Sequence, residues 1–259
     1  MDLKAEVARL ARHSQAGLID VSGAAAALDL DRSRASRRLA DLRAAGWLSR
    51  VKRGLYYVRP LEALPDRPAV PEDPWMVASV VYEPCYIGGW SAAEHWDLTE
   101  QLFRETFVVT CRAVRSKYST VLGLRFRLVR IHSEERVTST ELVWRGPERV
   151  HVSSPERTIV DGLNDPSWLG GWRHLVDIID RYLSEEPDRK HLESELSRHG
   201  RGAAHKRLGF LLEARRPKEV GLIEAAKGGV TRGVVKLDPS LPRKGSIDSG
   251  WGLLVNATA

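Results

Sequence analysis

Leu3, Val7, Leu10 and Ala11 recur at i, i+4, i+7 and i+8, which predicts a helix from about Asp2 to His13 with one apolar stripe. Gly17 interrupts the pattern. Asp20 and Ser22 offer caps for a short second helix whose buried side runs from Ala24 to Leu28. Leu30 follows as an apolar plug. Asp31 offers a cap for a third helix reaching about Ala45, with Ala35, Leu39 and Leu42 turned inward. Arg32, Ser33, Ser36, Arg37 and Arg43 are then left outward, and Gly46 stands where a left-handed stop is needed. Trp47, Leu48 and Val51 suggest a strand, Lys52-Arg53-Gly54 a tight turn, and Leu55 to Val58 the returning strand. Three helices followed by a hairpin is the order of a winged helix-turn-helix.

Beyond this segment, five of the 13 prolines fall between Pro60 and Pro74. Such a stretch continues neither a helix nor a central strand, so residues 61–73 are expected to be a linker. It would separate a winged helix-turn-helix domain at 1–60 from a larger mixed α/β domain at 74–259, an α+β chain overall. Within 74–259 the pattern predicts helices at 75–82, 91–96, 155–163, 171–183, 189–199, 202–214 and 217–226. Strands are expected at 106–111, 124–131, 141–144 and 149–152, with a last pair at 233–237 and 250–255. Ser154-Pro155 opens its helix with a capping hydroxyl and a proline at the first helical position.

Charge sharpens the picture. Residues 1–60 hold 12 Lys and Arg against 6 Asp and Glu, whereas residues 61–259 hold 28 of each. The formal surplus of +6 thus falls in the first quarter of the sequence, the footprint of a polyanion-binding module on a neutral body. Arg32, Ser33, Ser36 and Arg37 are the base-contact candidates: arginine can be bidentate to guanine, and serine lets a helix approach the major groove closely. Arg34, Arg38, Arg43, Lys52 and Arg53 are candidates for phosphate contact, which gives affinity rather than sequence choice, and Gly54 makes the wing turn. The partner expected is duplex DNA.

Catalytic signatures are few. No His pair has the spacing of a zinc protease helix, and no glycine loop ends in Lys-Ser/Thr. No catalytic residue, metal or cofactor is expected. Cys85 and Cys111 read as reduced core thiols. There is no basic-then-apolar leader and no apolar run of membrane-spanning length, so a cytoplasmic protein without a membrane partner is expected. Three clusters remain. Trp90 to Trp96 carries Glu94-His95, whose adjacency on a helix gives no pairing. Ser153 to Asp161 offers an Arg157–Asp161 pair on an amphipathic helix. His199 to Gly209 has a core stripe with Arg201, Lys206 and Arg207 as a basic edge.

The basic winged helix ending in Arg53-Gly54-Leu55-Tyr56-Tyr57-Val58 is followed by Tyr86-Ile87-Gly88-Gly89-Trp90-Ser91-Ala92 with Glu94-His95-Trp96. Ser154-Pro155-Glu156-Arg157-Thr158-Ile159-Val160-Asp161 comes next. In this order the motifs resemble the AbiEi family, antitoxins of AbiE type IV toxin–antitoxin systems, over about residues 1–255. The resemblance implies an autoregulatory repressor that binds an inverted-repeat operator in its own promoter, with self-association on DNA left open. It also implies an antitoxin domain that counteracts an AbiEii-like nucleotidyltransferase toxin, with or without a direct complex. Lys52, Arg53 and Gly54 carry over as wing contacts. Glu156, Arg157, Asp161, Arg201, Lys206 and Arg207 are the expected antitoxin surface. Two other classes stay open: a ligand-responsive winged-helix transcription factor, and a DNA-targeted enzyme using Glu94 and His95 or Glu156, Arg157 and Asp161.

Overall fold

The computed structural model describes residues 3–60 and 70–258. Most of the expected linker, 61–69, therefore lies outside the described residues. The chain folds as a winged helix-turn-helix followed by a larger mixed α/β region. Its compact units are 1–85 with 108–137 and 142–150, and 86–107 with 138–141 and 151–259. This grouping differs from a division at 61–73, because the winged helix shares its unit with strands from the second half.

In the first unit, α1 (Leu3–Arg12), β1 (Leu18–Asp20), α2 (Val21–Leu28) and α3 (Arg32–Ala44) precede the wing strands β2 (Leu48–Lys52) and β3 (Leu55–Val58). Asp20 caps α2 by accepting from Gly23 N at 2.7 Å, and Asp31 caps α3 by accepting from Arg34 N at 2.9 Å. Gly46, at φ +83°, ends the third helix in the left-handed region. Val7, Leu10, Ala35, Leu39 and Leu42 close a core with Ile19, Leu48 and Tyr56. Each fully buried Leu contributes about 1.5–3 kcal/mol. The small sheet has the order β1-β3-β2, with Ile19 opposite Tyr56 and Ser49 opposite Tyr57. β1 is absent from the sequence reading.

Asp73 caps α4 (Pro74–Val81). Then come β4 (Cys85–Ile87), α5 (Gly89–His95), β5 (Thr106–Thr110), β6 (Tyr118–Val121), β7 (Leu124–Arg130), α6 (Glu135–Thr138), β8 (Glu141–Arg145) and β9 (Glu148–Val152). The six strands have the order β6-β7-β5-β4-β9-β8. β6 pairs antiparallel with β7, and β7 buries Phe126 and Leu128, which the alternation in the sequence anticipates.

The second unit is built around α7 (Pro155–Asn164), α8 (Trp172–Ser184), α9 (Arg189–His199), α10 (Gly202–Arg215) and α11 (Val220–Gly228). A 3₁₀ turn at Pro166–Leu169 joins α7 to α8. Ser154 caps α7, accepting from Arg157 N at 3.1 Å, and Asp188 caps α9, accepting from His191 N at 2.9 Å. α8 is capped from afar: Asp238 accepts from Trp172 N at 2.9 Å. The apolar faces meet in one cluster that includes Ile159, Leu163, Trp172, Leu175, Ile179, Leu196, Leu208 and Leu212. Gly209 is required by close approach, since a Cβ there would lie 2.0 Å from the Trp251 ring. The strands β10 (Val235–Lys236), β11 (Ser246–Asp248) and β12 (Leu253–Val255) form a small sheet with β12 central.

Candidate nucleic-acid interface

The inward side of α3 is fixed by Ala35, Leu39 and Leu42, all fully buried. The 3.6-residue period therefore turns Arg32, Ser33, Ser36, Arg37 and Arg43 to solvent, where all five are exposed. Two of the arginines are braced by serine hydroxyls. Arg32 Nη1 donates to Ser22 Oγ at 3.1 Å, and Arg37 Nη2 donates to Ser33 Oγ at 3.2 Å. Arg34 forms an exposed pair with Asp31 at 3.2 Å. Backbone donation, chiefly from Arg34 N, holds the Asp31 carboxyl below its ordinary range. The geometry leaves a basic surface at the N-terminal end of an exposed helix. Such a surface can meet base edges and phosphates together.

Two phosphate candidates have internal partners instead. Lys52 is half-buried, and its ammonium donates to Val81 O at 2.9 Å at the end of α4. Burial, with the nearby Arg112 charge, pushes its pKa down. Arg53 is the exposed cation of the wing turn, which Gly54 makes at φ +78°. Arg112 escapes the sequence reading. It shares with Arg32, Lys52, Arg53 and Gly54 the lining of a cavity of about 530 Å³.

Arg38, the second, is taken up by Glu6 of α1. Its Nε donates to Glu6 Oε1 at 2.7 Å, and its Nη2 also reaches that carboxylate. Arg38's hydrogen bonding, against the opposing effect of burial, holds Glu6 below the ordinary carboxylate range. A folded pKa below the unfolded one gives stability that is present above the unfolded value and lost as pH falls through the folded one. Glu6→Gln is therefore expected to cost about 1–2 kcal/mol at neutral pH, with the difference shrinking on acidification. Urea melts at the two pH values check this; a constant difference would show that the carboxylate charge is not what Arg38 stabilises.

The expected antitoxin surface needs correction. Glu156, Arg157, Asp161, Lys206 and Arg207 are all buried, and of the six only Arg201 is exposed. The physical reason is the packing of α7 against α5, α8, α9 and α10, and of α10 against α7 and α11. These charges face internal partners rather than solvent. Arg157 Nε lies 3.1 Å from Asp161 Oδ2 and Nη1 lies 3.7 Å from Glu195 Oε2, while Tyr86 Oη donates to Asp161 Oδ2 at 2.7 Å. Glu156 accepts from Tyr182 Oη at 2.7 Å and has His191 Nδ1 at 3.1 Å. Burial, then Glu156, pushes the Tyr182 hydroxyl up. Lys206 Nζ donates to Gly233 O. α7 is thus buried along most of its length rather than amphipathic.

The remaining motifs read as packing. Trp90 Nε1 donates to Glu105 O at 2.8 Å and Trp96 Nε1 donates to Ser153 O at 2.7 Å. Trp90 stacks on Phe103 at 5.0 Å between ring centroids. His199 Nε2 lies 3.7 Å from Glu195 Oε2. Among the described residues no group of three or more His, Cys, Asp or Glu is placed to hold a metal ion. Burial pushes the Cys85 thiol up to about 12. Among the described residues no helix is long and apolar enough to cross a membrane.

No curated protein matches the chain. Among solved structures, the crystal structure of the RV2827C protein from Mycobacterium tuberculosis is similar in fold. It is 19% identical, with a TM-score of 0.59, over 95% of this chain and 88% of that one. Residues 6–59, from within α1 to just past the wing, match the family described as "Transcriptional regulator, AbiEi antitoxin". The winged helix-turn-helix with its exposed basic α3 is thus the segment of this chain that resembles the AbiEi antitoxin family of transcriptional regulators.

Proposed function

We propose that the chain is an autoregulatory repressor and antitoxin of the AbiE type, without catalytic activity and acting in the cytoplasm. It binds an inverted-repeat operator in its own promoter and counteracts a nucleotidyltransferase-like toxin encoded beside it. The observation that carries this reading is the exposed basic α3, capped by Asp31 and flanked by Arg53 of the wing, within the segment that matches the family. Arg32, Ser33, Ser36 and Arg37 face base edges, while Arg34, Arg43 and Arg53 meet phosphates. Arg38 and Lys52 act mainly as internal ties that hold the helix and the wing in place.

Mobility shift with the chain's own upstream DNA tests this reading. Arg53→Ala is expected to weaken all duplexes alike and to flatten the slope of log K against log salt by about 0.9. Arg37→Ala is expected to cost about 1–3 kcal/mol on the preferred sequence and to relax the preference. Undiminished operator binding by the double variant would overturn the assignment. For the antitoxin half, co-expression with the neighbouring gene product should give growth that depends on this chain, and growth arrest in its presence would count against it.

A further inference from the structure

The even charge of residues 61–259 conceals an uneven distribution between the compact units. The unit containing the winged helix has 22 Lys and Arg against 14 Asp and Glu, and the other has 18 against 20. Of the first unit's surplus of +8, +6 lies in residues 1–60 and +2 outside them, and that remainder is itself uneven. Residues 108–137, which carry β6 and β7, hold seven Lys and Arg against Glu134 and Glu135. Averaging hides this because residues 61–85 hold five acids and one arginine.

The hairpin and the segment leading into it display this charge rather than neutralising it. Arg112, Arg115, Lys117 and Arg125 are exposed, and among the described residues none of them forms an ion pair. In the second unit Arg189 pairs with Glu219, Arg215 with Asp180 and Lys227 with Glu213, while among the described residues the exposed Arg232, Arg243 and Lys244 form no ion pair. Register places Tyr118 opposite Arg127 and Thr120 opposite Arg125, so these four share the face opposite buried Phe126. Tyr118 is 58% exposed, with the Arg127 guanidinium 5.1 Å from its ring centroid. Arg125 and Arg127 stand two residues apart on one strand face, about 6.7 Å by strand geometry. Arg112 joins this segment to the wing, since it lines the same cavity as Arg32, Lys52, Arg53 and Gly54.

We propose that the β6–β7 hairpin and the approach to it, Arg112 to Arg127, form a second DNA-backbone contact that extends the footprint of the winged helix along the duplex. Unpaired like charges on one hairpin repel each other, and a polyanion relieves that repulsion while releasing its own counterions. Wing and hairpin belong to one compact unit, so a single duplex is the partner for both. The contact rests on the DNA-binding reading above and adds affinity rather than sequence choice.

The test uses the full chain and a mixed-sequence duplex several helical turns long. In the triple variant Arg115→Ala, Lys117→Ala, Arg125→Ala, the slope of log K against log salt is expected to flatten by about 0.9 for each phosphate no longer neutralised. A triple variant in the second unit, Arg232→Ala, Arg243→Ala, Lys244→Ala, removes the same charge from exposed positions and should keep the parent slope. Exchanging Arg115 and Arg125 for Lys should also keep it. Should the hairpin triple variant melt early, each single substitution carries the same expectation of about 0.9. A parent-like slope in the hairpin variants, with binding abolished by Arg37→Ala and Arg53→Ala, would overturn this contact and leave the winged-helix reading standing. Loss confined to a single-stranded RNA probe would also overturn it, and no duplex binding by the parent chain would overturn both.

Discussion

Replacing Arg207 with Met is expected to destabilise the protein by about 3–5 kcal/mol, measured by urea unfolding. The sequence alone argues for the opposite, because exposed charges usually tolerate substitution within about half a kcal/mol. In the fold, the guanidinium is 2% exposed and serves as a hub for backbone carbonyls. Its Nε donates to Leu237 O at 2.9 Å, its Nη1 to Leu163 O at 2.7 Å and Asn164 O at 3.1 Å, and its Nη2 to Lys236 O at 2.7 Å. Burial pushes its pKa down to about 10, which still leaves it charged at neutral pH. Methionine fills much of the volume and strands those carbonyls without donors, and each stranded group costs about 1–3 kcal/mol. Arg207→Lys is expected to rescue little, since an ammonium cannot match a planar fork spanning two segments of chain. Parent-like melting in Arg207→Met would show that the carbonyls find water instead.

Arg157→Met is expected to cost a similar amount for a different reason. Here the loss is of countercharge: Asp161 and Glu195 stay buried, 1% and 4% exposed, without their cation. Burial alone would lower the Arg157 pKa, yet Asp161 and then Tyr86 and Glu195 hold it above its ordinary value. Glu195 is pushed up by burial even with Arg157 present. A carboxylate whose folded pKa exceeds its unfolded one costs stability above that pKa and none well below it. The Arg157→Met variant should therefore gain stability relative to the parent as pH falls. Adding Glu195→Gln should recover part of the loss at neutral pH. A double variant no more stable than Arg157→Met would place the cost in packing rather than in charge.

Local signals carried much of the first unit into view. Asp31, Gly46 and the Ala35–Leu39–Leu42 spacing define α3 because a cap, a stop and a period each act within a few residues. β1 was hidden because Leu18-Ile19-Asp20 is too short to show alternation, and its strand character comes from pairing with Leu55 to Tyr57. Arg38 and Lys52 could be recognised as basic but not as occupied, because Glu6 and Val81 lie 32 and 29 residues away. The same limit explains Lys206 and Arg207. A charge reads as surface unless the distant carbonyls that enclose it are known, and Gly233, Lys236 and Leu237 belong to a segment of chain that α10 meets only in the fold. The basic hairpin was obscured by averaging over a range that the fold divides.

The two sides of α3 carry different obligations. Ala35, Leu39 and Leu42 are held by the core, while among the described residues the side chains of the outward Arg32, Ser33, Ser36 and Arg37 bond only to Ser22 and to one another. Substitutions at those outward positions should change stability by no more than about half a kcal/mol. If these residues read the operator as proposed, its preference can therefore diverge after gene duplication without first crossing a valley of misfolded intermediates. A library randomised at residues 33, 36 and 37 should remain largely folded, so that selection for a new operator acts on recognition alone.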